Sequence, residues 1–526
     1  MKTTACPMDC FDGCEVIYQN GSCKPSVTHP ITQGSLCKPF GYLLQEKNIT
    51  NDNIDIVLEQ TKAVLSQKNK KILYYKGSGN MGVLQNIPKI FFDKLGATIA
   101  QGSLCDDAGG AGIQWGRQHN TNPPIEELLS SDVIVVWGRN LTVTSKHLYK
   151  LIKDKIFVTI DPYKTQIAYK SEIFFQIPPK GDYSLIQQFN NMLNNRSFDD
   201  KVLIDLGVTK KQIENFINLL QGKKVSFLLG IGFQKYKEGG QITHEIEKFA
   251  SNFNVFDGIN KGVWYLSNSH YPYENRISIN PKKTDIYPSI DFGNYDIVFI
   301  QGANPVVSAP NTQKVIKGLK KAFVIFFGTT LNDSAKYANI VIPAKTFLQK
   351  KDVRLCYGHD EIIHCDICQD TTKAISEYHF THYMMEQFGF GSLLSLDEYL
   401  EPYSLPAKPK PKISFIKHNI DPILPLDISE DKFYLLTSKY ENTLNSQFKS
   451  TNDVYIHPDN NYTDGEKIII QSKYGVIETF VKNDLNVHPK GLLFYAGNKL
   501  VNYLTPDAAS DMGDNAIFQD VVLKIV

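Results

Sequence analysis

The sequence predicts an α/β chain of several domains, closed by a C-terminal β-barrel. Three observations carry that reading. Between residues 70 and 344, short apolar runs alternate with amphipathic segments, the mark of βα units and parallel sheets. A proline-bearing stretch at 403–427 then breaks the pattern and reads as a linker. Beyond it only short strands separated by turns remain, with no helix-period segment between them. A length of 526 residues allows about three or four domains.

The elements follow in order. KKILYY (70–75) is a buried strand. It runs into Gly77-Ser78-Gly79-Asn80-Met81-Gly82 and an amphipathic VLQNIPKIFFDKLG. G-x-G-x-x-G between strand and helix is a dinucleotide fingerprint. The acidic residue expected about 20 positions on is missing. A nicotinamide dinucleotide is therefore the lesser reading, and the glycines let backbone approach another phosphate or cofactor. Further strands are read at 132–140, 155–162, 172–182, 224–232, 295–305, 321–330 and 338–344, with helices in SKHLYKLIKD, ITHEIEKFASNF and NTQKVIKGLKK. Asn140, Asp161, Asp182 and Asn304 stand at C-terminal strand ends, where ligands of parallel sheets bind. The barrel strands are FYLLTSK, DVYIHP, EKIIIQSK, GVIETFVK and GLLFYAG.

Composition removes several function classes. Lys+Arg is 56 against Asp+Glu 55, so the basic excess of a nucleic-acid binder is absent. At 42% hydrophobic residues the chain is not a disordered polymer. No apolar run reaches the length of about 18 residues that a membrane helix needs. MKTTACPMDC has no apolar signal core and no twin arginine, so a cytoplasmic location is expected. In a reducing compartment nine cysteines read as metal ligands or free thiols. Arginine stands only at 117, 139, 196, 276 and 354, and the other 51 of the 56 bases are lysine, a skew read as genome composition.

The cysteines are clustered. Cys6, Cys10 and Cys14 keep a strict x3 interval, and Cys37 follows in Gly-Ser-Leu-Cys. Three thiols on a tight loop with one distant closer suit a cuboidal iron–sulfur cluster, one thiolate per iron. The alternatives are a structural zinc, which usually takes two C-x2-4-C pairs, or unliganded thiols. Asn20-Gly21 reads as a hairpin tip and leaves Cys23 a spare exposed thiol. Cys365 and Cys368 form a C-x-x-C beside His364 with Cys356 nearby, a second metal or redox candidate without a partner pair.

The segments CPMDCFDGC…GSLC, GSLCDDAGGAGI, VVWGRNLTVTSKH, IDPYKTQIA, IPPKGD, QGANPVVSAPN, AKYANIVIPAKT, LNSQF and VNYLTPDAASDMGDNAIFQD occur in that order. In this the chain resembles the molybdopterin oxidoreductases of the DMSO-reductase superfamily. The resemblance implies four domains. They are an iron–sulfur domain from 1–48 and 347–427, an α/β domain from 49–102 and 291–346, a second Rossmann-like α/β domain over 103–290 that takes a pterin guanine dinucleotide, and a barrel over 428–526. It implies a [4Fe-4S] cluster on Cys6, Cys10, Cys14 and Cys37, and molybdenum or tungsten held by two molybdopterin guanine dinucleotides.

Residue roles follow from the same resemblance. Cys105 occupies the metal-ligand position, where a thiolate suits a soft metal; without the motif it reads as a buried free thiol. Lys38, one place off the family register, lies between cluster and pterin. Gly79 and Asn80 approach the cofactor. Asn140, Asp161 and Asp182 contact one dinucleotide, Asn304 and Pro305 the other half, and Gln447 and Asn502 reach a pterin dinucleotide from the barrel. For the Asn, Asp and Gln contacts the competing reading is an Asx-type turn cap, and for Lys38 an ordinary solvated lysine. Asp106, Asp107, Trp115, Arg117 and His147 are pocket candidates, as often caps or helix surface. The implied activity is two-electron chemistry at the metal beside Cys105, with electrons relayed singly through the cluster to an iron–sulfur partner subunit. Formate is disfavoured because Asp106 stands where formate dehydrogenases carry His; a sulfur- or nitrogen-oxyanion substrate is an option. Two rivals remain: a non-redox hydratase or lyase using the metal as Lewis acid, and a cofactor-poor electron-transfer scaffold.

Overall fold

The computed structural model describes residues 1–253, 263–264, 273–405, 415–419, 432–448 and 450–526. The chain divides into two compact units, Met1–Gln101 with His270–Pro409, and Gly102–Ser269 with Lys410–Val526.

In the first unit, Ile72–Lys76 is central to a six-stranded, all-parallel sheet. Its neighbours are Thr98–Gln101 and Ile297–Gln301, and Phe323–Gly328, Ile340–Pro343 and Thr284–Ile286 complete it. Both faces are buried, as a parallel sheet requires. Tyr74 packs on one side with Phe91, Phe92, Phe299 and Phe380. Leu73 and Tyr75 pack on the other with Val298, Ile300, Val315 and Leu319. Thr284–Ile286 was expected in the 103–290 domain but pairs here with Thr98–Gln101; three residues are too few for a period to be read. A three-stranded antiparallel sheet opens the chain, Lys2–Ala5, Glu15–Gln19 and Ser22–Pro25. Its second turn is the expected Asn20-Gly21, with φ of 50° and 77°.

In the second unit, Val263–Trp264, Val225–Leu229, Val133–Trp137, Ile156–Ile160 and Ile173–Phe175 form a five-stranded parallel sheet. The helices Asp107–Arg117, Asp182–Leu193, Lys210–Leu220 and Gly239–Ala250 contribute to its core. Helices Asp107–Arg117 and Gly239–Ala250 touch closely, because a Cβ on Gly112 would meet the Gly240 carbonyl at 2.1 Å.

The closed barrel has six strands rather than the five expected. Val522–Ile525 is the sixth, pairing with both Phe433–Ser438 and Lys467–Gln471 and so removing two sheet edges. Alternate residues such as Ile468, Ile470, Ile477 and Val481 fill its interior. Most of the linker at 403–427 lies outside the described residues. Tyr403 is buried. Residues 415–419, expected in the iron–sulfur domain, lie instead along helix Asp107–Arg117, with the Ile416 N–H donating to the Gly116 carbonyl at 2.8 Å and His418 stacked on Trp115 at 4.5 Å. Gly116 makes this possible, since a Cβ there would meet the Phe415 ring at 2.5 Å.

Candidate metal centre

The thiol loop lies in the first unit. The strand pair Lys2–Ala5 and Glu15–Gln19 holds the loop 6–14 at its base, where the Cys6 N–H donates to the Cys14 carbonyl at 2.9 Å. Cys6 and Cys14 are buried, Cys10 and Cys37 half-buried. Cys37 leads directly into the short helix Lys38–Leu43. Electrostatically the four thiols form one set. Burial pushes the Cys6 thiol up to about 12, with the charge of Cys37 adding and Arg354 opposing. Burial likewise holds Cys10 and Cys14 well above the usual thiol range, and Cys6 and Cys37 raise both further. Cys10 Sγ accepts the Asp12 N–H at 3.4 Å, and Cys6 accepts from the Met8 backbone.

The segment 354–359 cradles this loop. Arg354 donates to the Met8 carbonyl at 3.1 Å, Tyr357 Oη to Asp9 Oδ1 at 2.6 Å, and His359 Nε2 lies 2.8 Å from the Asp12 carbonyl. Gly13, at φ 51°, lies against Cys356, whose Sγ would be 2.0 Å from a Cβ there. Among the described residues no three His, Cys, Asp or Glu side chains converge as the ligands of a single metal ion. A cuboidal cluster sets a different demand, one thiolate at each iron corner.

Cys356, Cys365 and Cys368 are all buried. Their thiols lie at 3.6 Å, 3.7 Å and 3.6 Å from the carbonyls of Gly13, Ile363 and Asp366. Cys23 is half-buried on Ser22–Pro25, and burial lifts it to about 11. Lys38 is exposed, its Nζ 5.9 Å from the Tyr42 ring centroid. The glycine loop after Ile72–Lys76 meets the turn after Ile297–Gln301, because Cβ atoms on Gly77 or Gly79 would strike the Gly302 carbonyl at 2.5 or 2.7 Å. Asn80 donates to the Lys345 carbonyl and to Glu377 Oε1, each at 2.9 Å. Asn304 is buried and its Oδ1 accepts from Ser334, with Pro305 opening the next helical turn.

Cys105 lies in the second unit, half-buried, at the N-terminal end of helix Asp107–Arg117. The Cys105 N–H donates to Ser103 Oγ at 2.8 Å. Ser103 is itself pinned to the chain's last segment, exchanging backbone hydrogen bonds with Asp514 and Ala516. Asp106 precedes the helix as its N-cap residue without a side-chain cap bond. Gln234 Oε1 accepts the Gly109 N–H at 2.9 Å. The next residue, Lys235, is buried, with its Nζ 2.6 Å from Thr437 Oγ1. Burial lowers Lys235 to about 8, the nearby Lys439 adds, and Cys105 opposes. Lys235 was missed from sequence, and no signal separates it from the other lysines.

The remaining candidates are placed as follows. Arg117 is 1% exposed and ion-paired with the fully buried Glu247. His147 is 3% exposed and burial lowers it to about 4. Neither opens to solvent. Burial lifts Asp161 to about 7, with the Tyr163 N–H opposing and Asp182 adding. Burial lifts Asp182 to about 6 against the Trp137 Nε1–H, which it accepts at 2.7 Å. Asn140 Oδ1 accepts from Thr142 Oγ1 at 3.2 Å. Gln447 is half-buried on a two-residue strand, and Asn502 Oδ1 accepts from Thr505 Oγ1.

A family model described as molybdopterin oxidoreductase matches residues 53–356, more than half of the chain. The chain belongs to the molybdopterin oxidoreductases. Relatives of this molybdopterin oxidoreductase include two probable oxidoreductases of Bacillus subtilis. YyaE is 23% identical over 76% of this chain and 71% of its own length, and YoaE 21% identical over 98% and 97%. The F420-dependent formate dehydrogenase subunit alpha of Methanocaldococcus jannaschii is 22% identical over 66% of this chain and 64% of its own. Acetylene hydratase from Pelobacter acetylenicus shares the fold, with a TM-score of 0.70 at 13% identity and 100% of both chains covered. Membership implies a molybdenum or tungsten pterin cofactor. Among the described residues no helix is long and apolar enough to cross a membrane.

Proposed function

We propose that this oxidoreductase carries out two-electron chemistry at a molybdenum or tungsten bis(molybdopterin guanine dinucleotide) ligated by Cys105. Electrons pass singly through a [4Fe-4S] cluster on Cys6, Cys10, Cys14 and Cys37. The observation that carries the reading is the loop 6–14, cradled by residues 354–359 and carrying three thiols, with Cys37 acting electrostatically on all three. As protonated thiols they repel one another's ionisation; a polynuclear cationic centre removes that penalty and takes all four as thiolates. When bound, the pterin metal supplies the two-electron redox couple and the open coordination position.

The chain's own part is position and charge. Cys105 lies just before the N-terminus of helix Asp107–Arg117 with Lys235 in electrostatic reach, positive surroundings that suit a metal-bound thiolate. The glycines at 77, 79 and 302 let the two strand-end turns close on one another at the sheet edge assigned to the cofactor. Asp161, Asp182, Asn140, Asn304, Pro305, Gln447 and Asn502 are assigned to the guanine dinucleotides, with Gly79, Asn80 and Lys38 on the pterin side. Asp106 is assigned to the substrate side of Cys105; Arg117 and His147, being buried, act on it through the packing of their helices. The domain limits 1–48 with 347–427, 49–102 with 291–346, 103–290 and 428–526 belong to the same proposal except for Thr284–Ile286 and 415–419, reassigned above; so do a cytoplasmic location and an iron–sulfur partner subunit. The relative named as a formate dehydrogenase alpha subunit supports a partner.

The neighbour named as a hydratase raises a second reading, Lewis-acid hydration on the same scaffold. Metal analysis of anaerobically purified protein tests both: about four iron atoms with about one molybdenum or tungsten per chain are expected. Absence of molybdenum and tungsten would leave only the scaffold reading. A viologen-linked substrate screen then divides them, since hydration moves no electrons to the dye.

A further inference from the structure

Arg354 is 2% exposed on the strand Asp352–Leu355. Its guanidinium donates to two carbonyls, Leu355 at 2.9 Å and Met8 at 3.1 Å, and its Nε has no hydrogen-bond partner. Tyr357 lies beneath it, the ring centroid 5.8 Å from Cζ. The charges acting on it are those of Cys356, Tyr357, Cys10 and Cys6. Among the described residues no carboxylate pairs with it. Lys350, another buried cation of the unit, is handled differently, with Glu377 Oε2 at 2.9 Å and Asp352 Oδ2 at 3.4 Å. A buried guanidinium without an anion is expensive to keep, because it cannot shed its proton as a lysine can. Three of the four side chains whose charge acts on it are thiols, two of them in the candidate cluster set.

We propose that Arg354 is the counter-charge of the iron–sulfur cluster and sets how readily that cluster accepts an electron. The proposal rests on the cluster reading given above. A cluster held by four thiolates is anionic, and one electron added to it adds one more negative charge. A fixed cation nearby stabilises the reduced form more than the oxidised form, and raises the reduction potential. Arginine keeps its proton throughout, so the electron enters without proton transfer at this residue. The bond to the Met8 carbonyl holds the charge against the middle of the Cys6–Cys10 span.

The test uses the anaerobically purified full chain, reduced stepwise with dithionite as the electron donor and followed by electron paramagnetic resonance. Arg354→Gln keeps an amide donor for the Met8 carbonyl and removes the charge; Arg354→Lys keeps the charge and loses the fork. The midpoint potential of R354Q is expected to fall by about tenfold in the reduction equilibrium, the order expected for a unit charge at an effective dielectric of about 20, or about 59 mV for one electron. R354K is expected to stay near the wild type. An unmoved potential in R354Q with iron retained overturns the proposal, as does an equal shift in both variants. Loss of iron from both variants also overturns it, because Arg354 would then act by pinning the loop. A wild-type protein lacking about four iron atoms per chain and the reduced-cluster signal would refute the cluster reading itself, a result distinct from a cluster whose potential ignores residue 354.

Discussion

Cys10 and Cys368 both sit on loops of the first unit, yet the fold treats them in opposite ways. Cys368 Sγ donates to the Asp366 carbonyl at 3.6 Å and is buried as a packed thiol. Cys10 accepts a backbone N–H and faces Cys6 and Cys37. Burial therefore does not distinguish a ligand from a packing residue. What distinguishes them is electrostatic company: the thiols of Cys6 and Cys37 act on Cys10, whereas the charges acting on Cys368 are those of Asp366 and Lys2. The same contrast separates Lys350, wedged between two carboxylates, from Arg354, turned toward thiols.

Substitutions at six positions test how far that contrast reaches. Cys10→Ser or Cys37→Ser is expected to cut bound iron at least about tenfold, measured by metal analysis, while Cys368→Ser leaves iron unchanged; iron loss in C368S would break the comparison. Cys105→Ser is expected to lower turnover of any substrate found by the viologen screen at least about a hundredfold with the iron content intact. Lys350→Met strands Glu377 and Asp352 as buried carboxylates and is expected to lower stability by about 3–5 kcal/mol in denaturant unfolding; a neutral result would show that the carboxylates take up protons or water instead. The last concerns Asp161, whose carboxyl goes from an ordinary 3.8 to about 7 in the fold. A raised carboxyl favours the folded state fully below its unfolded value and loses that contribution as pH rises through its folded value. The cofactor-free protein should therefore lose stability between about pH 4 and 7, by at most about 1.4 kcal/mol per pH unit. Asp161→Asn should flatten that slope in thermal melts taken across the range.

Legibility in the sequence followed the length of each signal. The parallel strands Ile72–Lys76, Val133–Trp137, Ile156–Ile160, Val225–Leu229 and Ile297–Gln301 were readable because continuous apolar runs bounded by turn residues have few other solutions. Val522–Ile525 and Thr284–Ile286 were not, because strands this short take their pairing from neighbours far along the chain. The strand-end positions of Asp161 and Asn304 were readable too, whereas Asp182, expected to end a strand, opens the helix Asp182–Leu193 beyond the strand Ile173–Phe175. Their local roles were not: Trp137 donates to Asp182, and Ser334 donates to Asn304, across 45 and 30 residues of sequence.

The spacing of Cys6, Cys10, Cys14 and Cys37 and the order of the motifs identified the family and singled out candidate ligands, because covalent intervals are fixed before folding. Only the tertiary structure could show that residues 354–359 return beneath the thiol loop, or that Arg354 and Lys235 differ from the chain's other cations. Electrostatic partnership depends on distance through space and on exclusion of water, and one residue's letter carries neither.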